Sequence, residues 1–308
     1  MTKYSNNEKQ RKNINCPNCN SSNVIKRGIR KTDNRSKIQR FGCKDCSQRF
    51  VIDDGLFRMR NNENKITGCM NLYYSGISLR KIQHHLQMFA PKNSHYSNVY
   101  RWVVKYAEMI SRITDRFEIE SGKELMSDEM EYSRLGEQNW FVDTLDTETR
   151  SMVSSGFIKS RTNEDMTKIL KLAKAKTGDS VKIITTDAML GYPTILSKSF
   201  GYHKKFYSND RRPSKIIHNV VKSSERGFNH KIERLHGTIR DRTKIMRGFH
   251  GSLDSAKAIM SGMKIYYNYI RKHQGIGNRA PQEEAIPTLN LGLNKWLSLI
   301  KLSKSINN

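Results

Sequence analysis

The chain is poor in acids, in apolar stretches and in cysteine. Against 55 Lys and Arg it carries 29 Asp and Glu, a formal charge of +26 and a sequence pI near 9.9. So basic a balance argues against an ordinary metabolic enzyme. It argues for a polyanion, nucleic acid ahead of a membrane surface, because neutralised phosphates release condensed counterions. No run of 18 apolar residues occurs, which excludes a spanning helix. The opening MTKYSNNEKQRKNIN lacks the apolar stretch of a secretory signal, so a reducing compartment is expected. Hydrophobic residues make up 36% and aromatics 9% of the 308 residues, little for one large core and enough for several small ones. That length suggests two or three domains. Four of the five cysteines fall in two CxxC pairs, which points to metal rather than disulfides.

Cys16, Cys19, Cys43 and Cys46 read C-x2-C, twenty-three residues, C-x2-C. Two residues between thiols let a tight turn aim both sulfurs at one ion, and two such knuckles complete a tetrahedral, closed Zn²⁺ site. Short β-like pieces between them, NVIKRG and KIQRFG, predict a zinc ribbon. Lys26, Arg27, Arg30, Lys31, Arg35, Lys37 and Arg40 lie between the knuckles and are candidates to touch phosphates. Cys69 stands apart and reads as a small buried residue.

From Asn64 to Phe117 the apolar spacing is helical. One segment ends at Gly76. A second starts at Ser78 as N-cap and stops before Pro91. A third starts at Ser97. Three such helices suggest a helix-turn-helix, with Asn98, Tyr100, Arg101 and Lys105 facing DNA. The connection APKNSHYS is longer than the usual turn. A plain helical linker is the competing reading.

The charge is uneven. Glu118 to Arg150 holds ten acids against three Lys/Arg, whereas Gly201 to His250 holds thirteen Lys/Arg against four acids. The acidic island suits hydrated cations, or a solvated face. Within it, ELMSDEMEYSRLGEQNWFVDTLDTET alternates like strands, with turns at RLGEQN and DTET. Met126, Asp128, Met130 and Tyr132 share one face, Glu129 and Glu131 the other. Solvated acids belong with Glu129 and Glu131. Asp128, among Met and Tyr, must be hydrogen-bonded, metal-bound or protonated. After a helical stretch, the β-rich run Val181 to Thr186 ends at Asp187, where an acid is also a common turn residue. Glu233 stands in a basic helix from about Phe228, with Phe228, Ile232, Leu235, Ile239 and Met246 as core stripe. Glu233, Arg240 and Lys244 form the neighbouring stripe. A simple ion pair is the alternative for Glu233. Three carboxylates brought together make an oxygen-rich cage for Mg²⁺ or Mn²⁺, with Arg240 and Lys244 holding phosphate beside it.

The motifs CPNC…FGCKDCSQRF, SGISLRKI…VYRWVVKY, SDEM…W…DTETR, TTDAMLGYP, IERLHGTIRDRTKIMRGF and YYNYIRKHQGIGNRAPQEEA cover nearly the whole chain in order. In them the chain resembles the DDE transposases of prokaryotic insertion sequences, in the branch with an N-terminal zinc ribbon. The resemblance implies an α/β fold: an RNase H-like catalytic domain with a central mixed sheet, behind a zinc ribbon and a helix-turn-helix-like domain. It implies Asp128, Asp187 and Glu233 as catalytic, metal-holding triad, with two Mg²⁺ or Mn²⁺ ions and structural Zn²⁺. It implies DNA cleavage by water and attack of the freed 3′-hydroxyl on target DNA. Partners would be the element's terminal inverted repeats, target DNA and a second copy of the chain, in a prokaryotic cytoplasm on the nucleoid. The expected organisation is a basic tail (1–12), ribbon (13–54), helix-turn-helix-like domain (62–118), catalytic domain (122–275) and C-terminal helical tail (276–308). The forty-five residues between Asp187 and Glu233 exceed the spacing of compact family members, and YSNDRRPSKIIHNVVKSSERG is expected to hold an extra strand or DNA loop. Two other readings compete: a non-catalytic DNA-binding protein with a decayed catalytic domain, and an RNase H-like nuclease that cuts without joining.

Overall fold

A computed structural model describes residues 14–32, 37–203, 214–221 and 230–305. The expected basic tail and Arg35 lie outside these residues, as do Phe228 and residues 204–213 and 222–229 of the segment between Asp187 and Glu233. The first unit is a three-stranded antiparallel sheet of β1 (Val24–Lys31), β2 (Lys37–Cys43) and β3 (Arg49–Phe50), in that order. Phe41 and Phe50 stack at 5.8 Å, and this pair with the cysteines makes up most of its small core.

Three helices follow: α1 (Glu63–Tyr74), α2 (Leu79–Phe89) and α3 (Tyr96–Thr114). Ser78 caps α2 by accepting from the Lys81 amide. The cap of α3 is not Ser97 but His95, whose ring nitrogen accepts from the Ser97 amide. Capping at His95 lets the helix begin at Tyr96, two residues earlier than a Ser97 cap would. The first helix ends at Ser75, with Gly76 at φ +96° leading the chain away.

A five-stranded mixed sheet carries the rest: β4 (Glu124–Arg134), β5 (Glu137–Asp146), β6 (Met152–Ile158), β7 (Ile183–Thr186) and β8 (Ile217–Val220), in spatial order β6-β5-β4-β7-β8. The first three form an antiparallel meander, while β7 and β8 run parallel to β4. The β4–β5 turn is Leu135–Gly136, at φ +53° and +80°, the two-residue geometry whose twist matches paired strands. The β5–β6 turn is held by Asp146, whose carboxylate accepts from the amides of Gly122, Glu148 and Thr149. Of the strand or DNA loop expected between Asp187 and Glu233, the described residues show a strand: β8, which forms one edge of the sheet.

Helices cover both faces. On one lie α4 (Asn163–Thr177) and α5 (Tyr192–Phe200), packed with Leu125, Val142, Val153 and Ile184. On the other lie α6 (His230–Thr243) and α7 (Leu253–Ile265), packed with Met126, Met130, Phe141 and Phe157. Consecutive residues 125 and 126 thus enter different cores, as period-2 alternation demands. The second core does not stop at the sheet. It continues through α1–α3 and the C-terminal α8 (Lys295–Ser305). Besides the ribbon's small core, the described residues form two large clusters, and the larger joins the helical segment to the sheet. The C-terminal tail docks there, with Trp296 stacked on Tyr74 at 5.5 Å. Gly262 on α7 makes that docking possible: a Cβ there would sit 1.8 Å from the Tyr74 hydroxyl.

Candidate active site

The site is built where β7 ends alongside the middle of β4. Their parallel register pairs Glu124 with Ile183, Leu125 with Ile184 and Met126 with Thr185. Continuing it two positions puts Asp187, just past the end of β7, beside Asp128 in the middle of β4, at the carboxyl end of the shorter of two parallel strands, where α/β sheets open their ligand crevices. The Asp187 side chain also accepts from the Met189 amide at 3.0 Å, so it is a turn residue as well.

Asp128 lies on the α6 face, as its Met and Tyr neighbours predict. Its side chain keeps 20% of its exposure. Burial pushes its pKa up to about 6, against the opposing pull of His236 and the Glu129 amide. A carboxylate in this state is short of positive partners. Glu129 does not behave as a solvated acid. Its side chain is buried, accepting from the Tyr192 hydroxyl at 2.8 Å and pairing with Arg161 at 2.9 Å. The reason is that the odd-numbered face of β4 is covered by α5, not by water. Glu131, one pleat further along, is exposed. Arg161 also lies 3.8 Å over the Trp140 ring, so the indole is half-buried under a cation.

Helix α6 is held against the sheet by Ile232, Leu235 and Ile239, and by Tyr132 and Thr243 hydroxyls 3.1 Å apart. The chain beyond it returns to the hairpin tip, where Phe249 exchanges backbone hydrogen bonds with Ser133 and Leu135. From this helix His236 reaches inward: one ring nitrogen is 3.0 Å from Asp143, the other 3.6 Å from Asp128. Burial alone would lower the His236 pKa. The two carboxylates outweigh it and raise it. Asp143 is fully buried on β5, and its second oxygen has no partner among the described residues. Sequence reading missed Asp143, although the signal was available. With the turn at 135–136, strand pairs obey a constant sum (134 + 137 = 128 + 143), so Asp143 faces Asp128 directly.

Glu233 is exposed, one turn before His236, and has no ion-pair partner among the described residues. The other acid of the helix, Asp241, pairs with Lys244 at 3.3 Å. Arg240 is exposed on the Glu233 side. Lys244 lies just past the helix in a short 3-10 turn, so the stripe keeps Glu233 and Arg240 but not Lys244 in helical register. Met246 likewise leaves the core stripe, meeting the Tyr73 hydroxyl at 3.6 Å. The three acids are not drawn within metal-ligand distance of one another; among the described residues only the four cysteines are.

In the ribbon, Cys16–Cys46 and Cys19–Cys43 sulfurs are 3.5 and 3.6 Å apart, and all four fall within 4.8 Å. Tetrahedral bonds of about 2.3 Å require sulfurs separated by about 3.8 Å, so the cluster fits zinc. The Gln48 amide, then Asn18, lowers the Cys46 pKa to about 6, towards the thiolate a metal needs. On α3, Arg101 and Lys105 are exposed beside a 500 Å³ cavity that also involves Arg112 and Lys304. Lys105 caps the Tyr106 ring at 5.2 Å. The opposite side of α3 is wholly committed to the core.

A family model described as an integrase core domain matches residues 215–281, the segment from β8 through α6 and α7. The fold is that of an RNase H-like integrase core. The sheet order and this segment identify it. Among solved structures, the chain is loosely similar to the simian T-cell lymphotropic virus intasome in complex with PP2A regulatory subunit B56 gamma (13% identity, TM-score 0.41), over 55% of each chain. It is similar to the HTLV-2 integrase catalytic core domain in complex with magnesium (13%, 0.37), over 54% of this chain and 97% of that one. It is also similar to the Drosophila P element transposase strand transfer complex (12%, 0.35), over 86% and 81%. No curated protein matches. No helix among the described residues is long and apolar enough to cross a membrane.

Proposed function

We propose that this chain is a transposase: it binds the ends of a mobile element and performs divalent-metal-dependent cleavage and joining of DNA. The observation that carries the reading is the strand register that sets Asp128, midway along β4, beside Asp187 at the end of β7, with a basic helix bearing Glu233, unpaired among the described residues, on the same face of the sheet. Asp128, Asp187 and Glu233 would hold Mg²⁺ or Mn²⁺, for which hard carboxylate oxygens are the suited donors. Bound there, such ions stabilise the attacking and leaving oxygens of in-line phosphoryl transfer. The chain's own residues do the rest. His236, anchored on Asp143, aims at Asp128 and fixes its orientation. Arg240 and Lys244 present cations to the scissile strand, and Arg101 and Lys105 on α3 contact the element's end. The four cysteines hold a structural zinc. The family is that of prokaryotic insertion sequences, working on terminal inverted repeats and target DNA in the cytoplasm. Joining two ends calls for at least a dimer.

The test is cleavage and joining of labelled DNA carrying the element's ends, with Mg²⁺, for wild type and Glu233→Gln. The reading expects joining by wild type only, with gel-shift binding kept in both. Cut ends that never join would make the protein a nuclease. Bound but uncut DNA would make it a DNA-binding protein and leave Glu233 a surface acid.

A further inference from the structure

Helix α6 has a second polar flank. At 100° per residue, Lys231, Arg234 and Thr238 lie roughly 100–180° around the helix from Glu233 and Arg240. They line a 390 Å³ cavity, closed by Arg150 from the β5–β6 turn and by Arg271 and Lys272 beyond α7. Its lining holds five Lys and Arg side chains and no carboxylate. None of the five is in an ion pair among the described residues. Glu283, an acid within the field of Lys272, is committed to Lys295 at 2.5 Å and to the Ala280 amide. Five cations crowded without a counter-charge are costly unless an anion enters.

The cavity is also organised. Arg271 is half-buried, and its guanidinium is 2.9 Å from His273 Nδ1. His273 Nε2 is 3.2 Å from the Tyr267 carbonyl, which must accept, so the proton sits on Nε2 and Nδ1 accepts from Arg271. Tyr267 further holds the imidazole edge-to-face at 4.5 Å. Burial, then Arg271, lowers the His273 pKa to about 4, so the ring stays neutral and keeps this role at ordinary pH. Arg271 is therefore a guanidinium steered by a neutral acceptor rather than a carboxylate. Its charge is left for a ligand.

We propose that this cavity is a second DNA-phosphate site, holding the backbone on the flank of α6 away from the acids. It rests on the reading of DNA as partner, not on the chemistry. A helix is about 10 Å across, about three base steps of a strand. A strand leaving the acids must cross α6 to reach it, so the helix would act as a saddle over which the DNA is drawn.

The test is anisotropy of labelled oligonucleotides, duplex and single-stranded, over a salt series with the full chain and no added Mg²⁺. Arg234→Ala/Arg271→Ala is compared with Lys168→Ala/Lys171→Ala, which removes equal charge from the exposed side of α4. The cavity variant should flatten log K against log salt by about 1.8 for duplex, or about 1.4 for single strands, and the α4 variant should not. The arm that shifts identifies the strand form held. Equal behaviour of the two variants overturns the site. If the double variant does not fold, Lys272→Ala alone should lower the slope by about 0.9, and an unchanged slope overturns the site. The salt slopes are read without cleavage, so loss of joining by Glu233→Gln and loss of the slope difference between the two double variants read out separately.

Discussion

The ribbon and the acid site are both sets of metal-suited ligands, yet they are assembled differently. The ribbon's four sulfurs come from two knuckles and stand at zinc distances as folded. The three acids come from two strands and a helix. Asp128 and Asp187 are neighbours by register, but Glu233 points to solvent. A ligand set given by local turns is complete once those turns form. One given by separate elements depends on how a helix lies on a sheet. The ribbon is a metal holder with almost no core, whereas the acid site is a small feature on a body held by two large cores.

The sharpest way to break this contrast is to remove the ribbon's metal. Cys43→Ser, or chelation, should unfold residues 14–50 with the loss of about 10–16 kcal/mol of binding free energy, while the body keeps its own melting transition. Simultaneous loss of both transitions in calorimetry would show the two regions to be one cooperative unit. Next in size is the body's own packing. Gly262→Val should force α7 away from Tyr74, costing at least about 3 kcal/mol and lowering the denaturant midpoint without touching zinc content.

The acid site should respond oppositely to the ribbon. Asp128 is raised from 3.8 to about 6, about 2 pKa units, so its charged form costs on the order of 3 kcal/mol at neutral pH. The sign follows: a raised carboxylate contributes stability below pH 3.8 that is lost as pH rises through 6. Asp128→Asn should therefore raise the melting temperature without Mg²⁺ at pH 7.5, and Mg²⁺ should stabilise wild type but not the variant. A destabilised Asp128→Asn would show the carboxylate to be structural. The smallest effect concerns Asp115, which ties α3 to Lys176 and Lys264. Burial, then Lys264, lowers the Lys176 pKa to about 7. Unfolded chains keep that proton up to about 10.5, so this lysine's stability is present above pH 10.5 and lost as pH falls through 7. Lys176→Met should flatten the rise of melting temperature between pH 7 and 9.

Much of this was legible in sequence. The knuckles, the three helices, the β4–β5 alternation and the strand ending at Asp187 follow from spacing and period, which are local. Glu129 was misread because period 2 says which residues share a face, not what covers it; α5, some sixty residues on, decides that. The His95 cap escaped because any residue able to accept from an amide can take that position. Asp143 and His236 meet only because α6 is laid across the sheet, and the basic cavity joins residues 150, 234 and 271. By itself the sequence determined the spacing of the cysteine knuckles, the element types and which strand residues share a face, because those depend on neighbours a few residues apart. Only the tertiary structure decided that α6 separates an acidic flank from a basic one, because that requires packing between segments over a hundred residues apart.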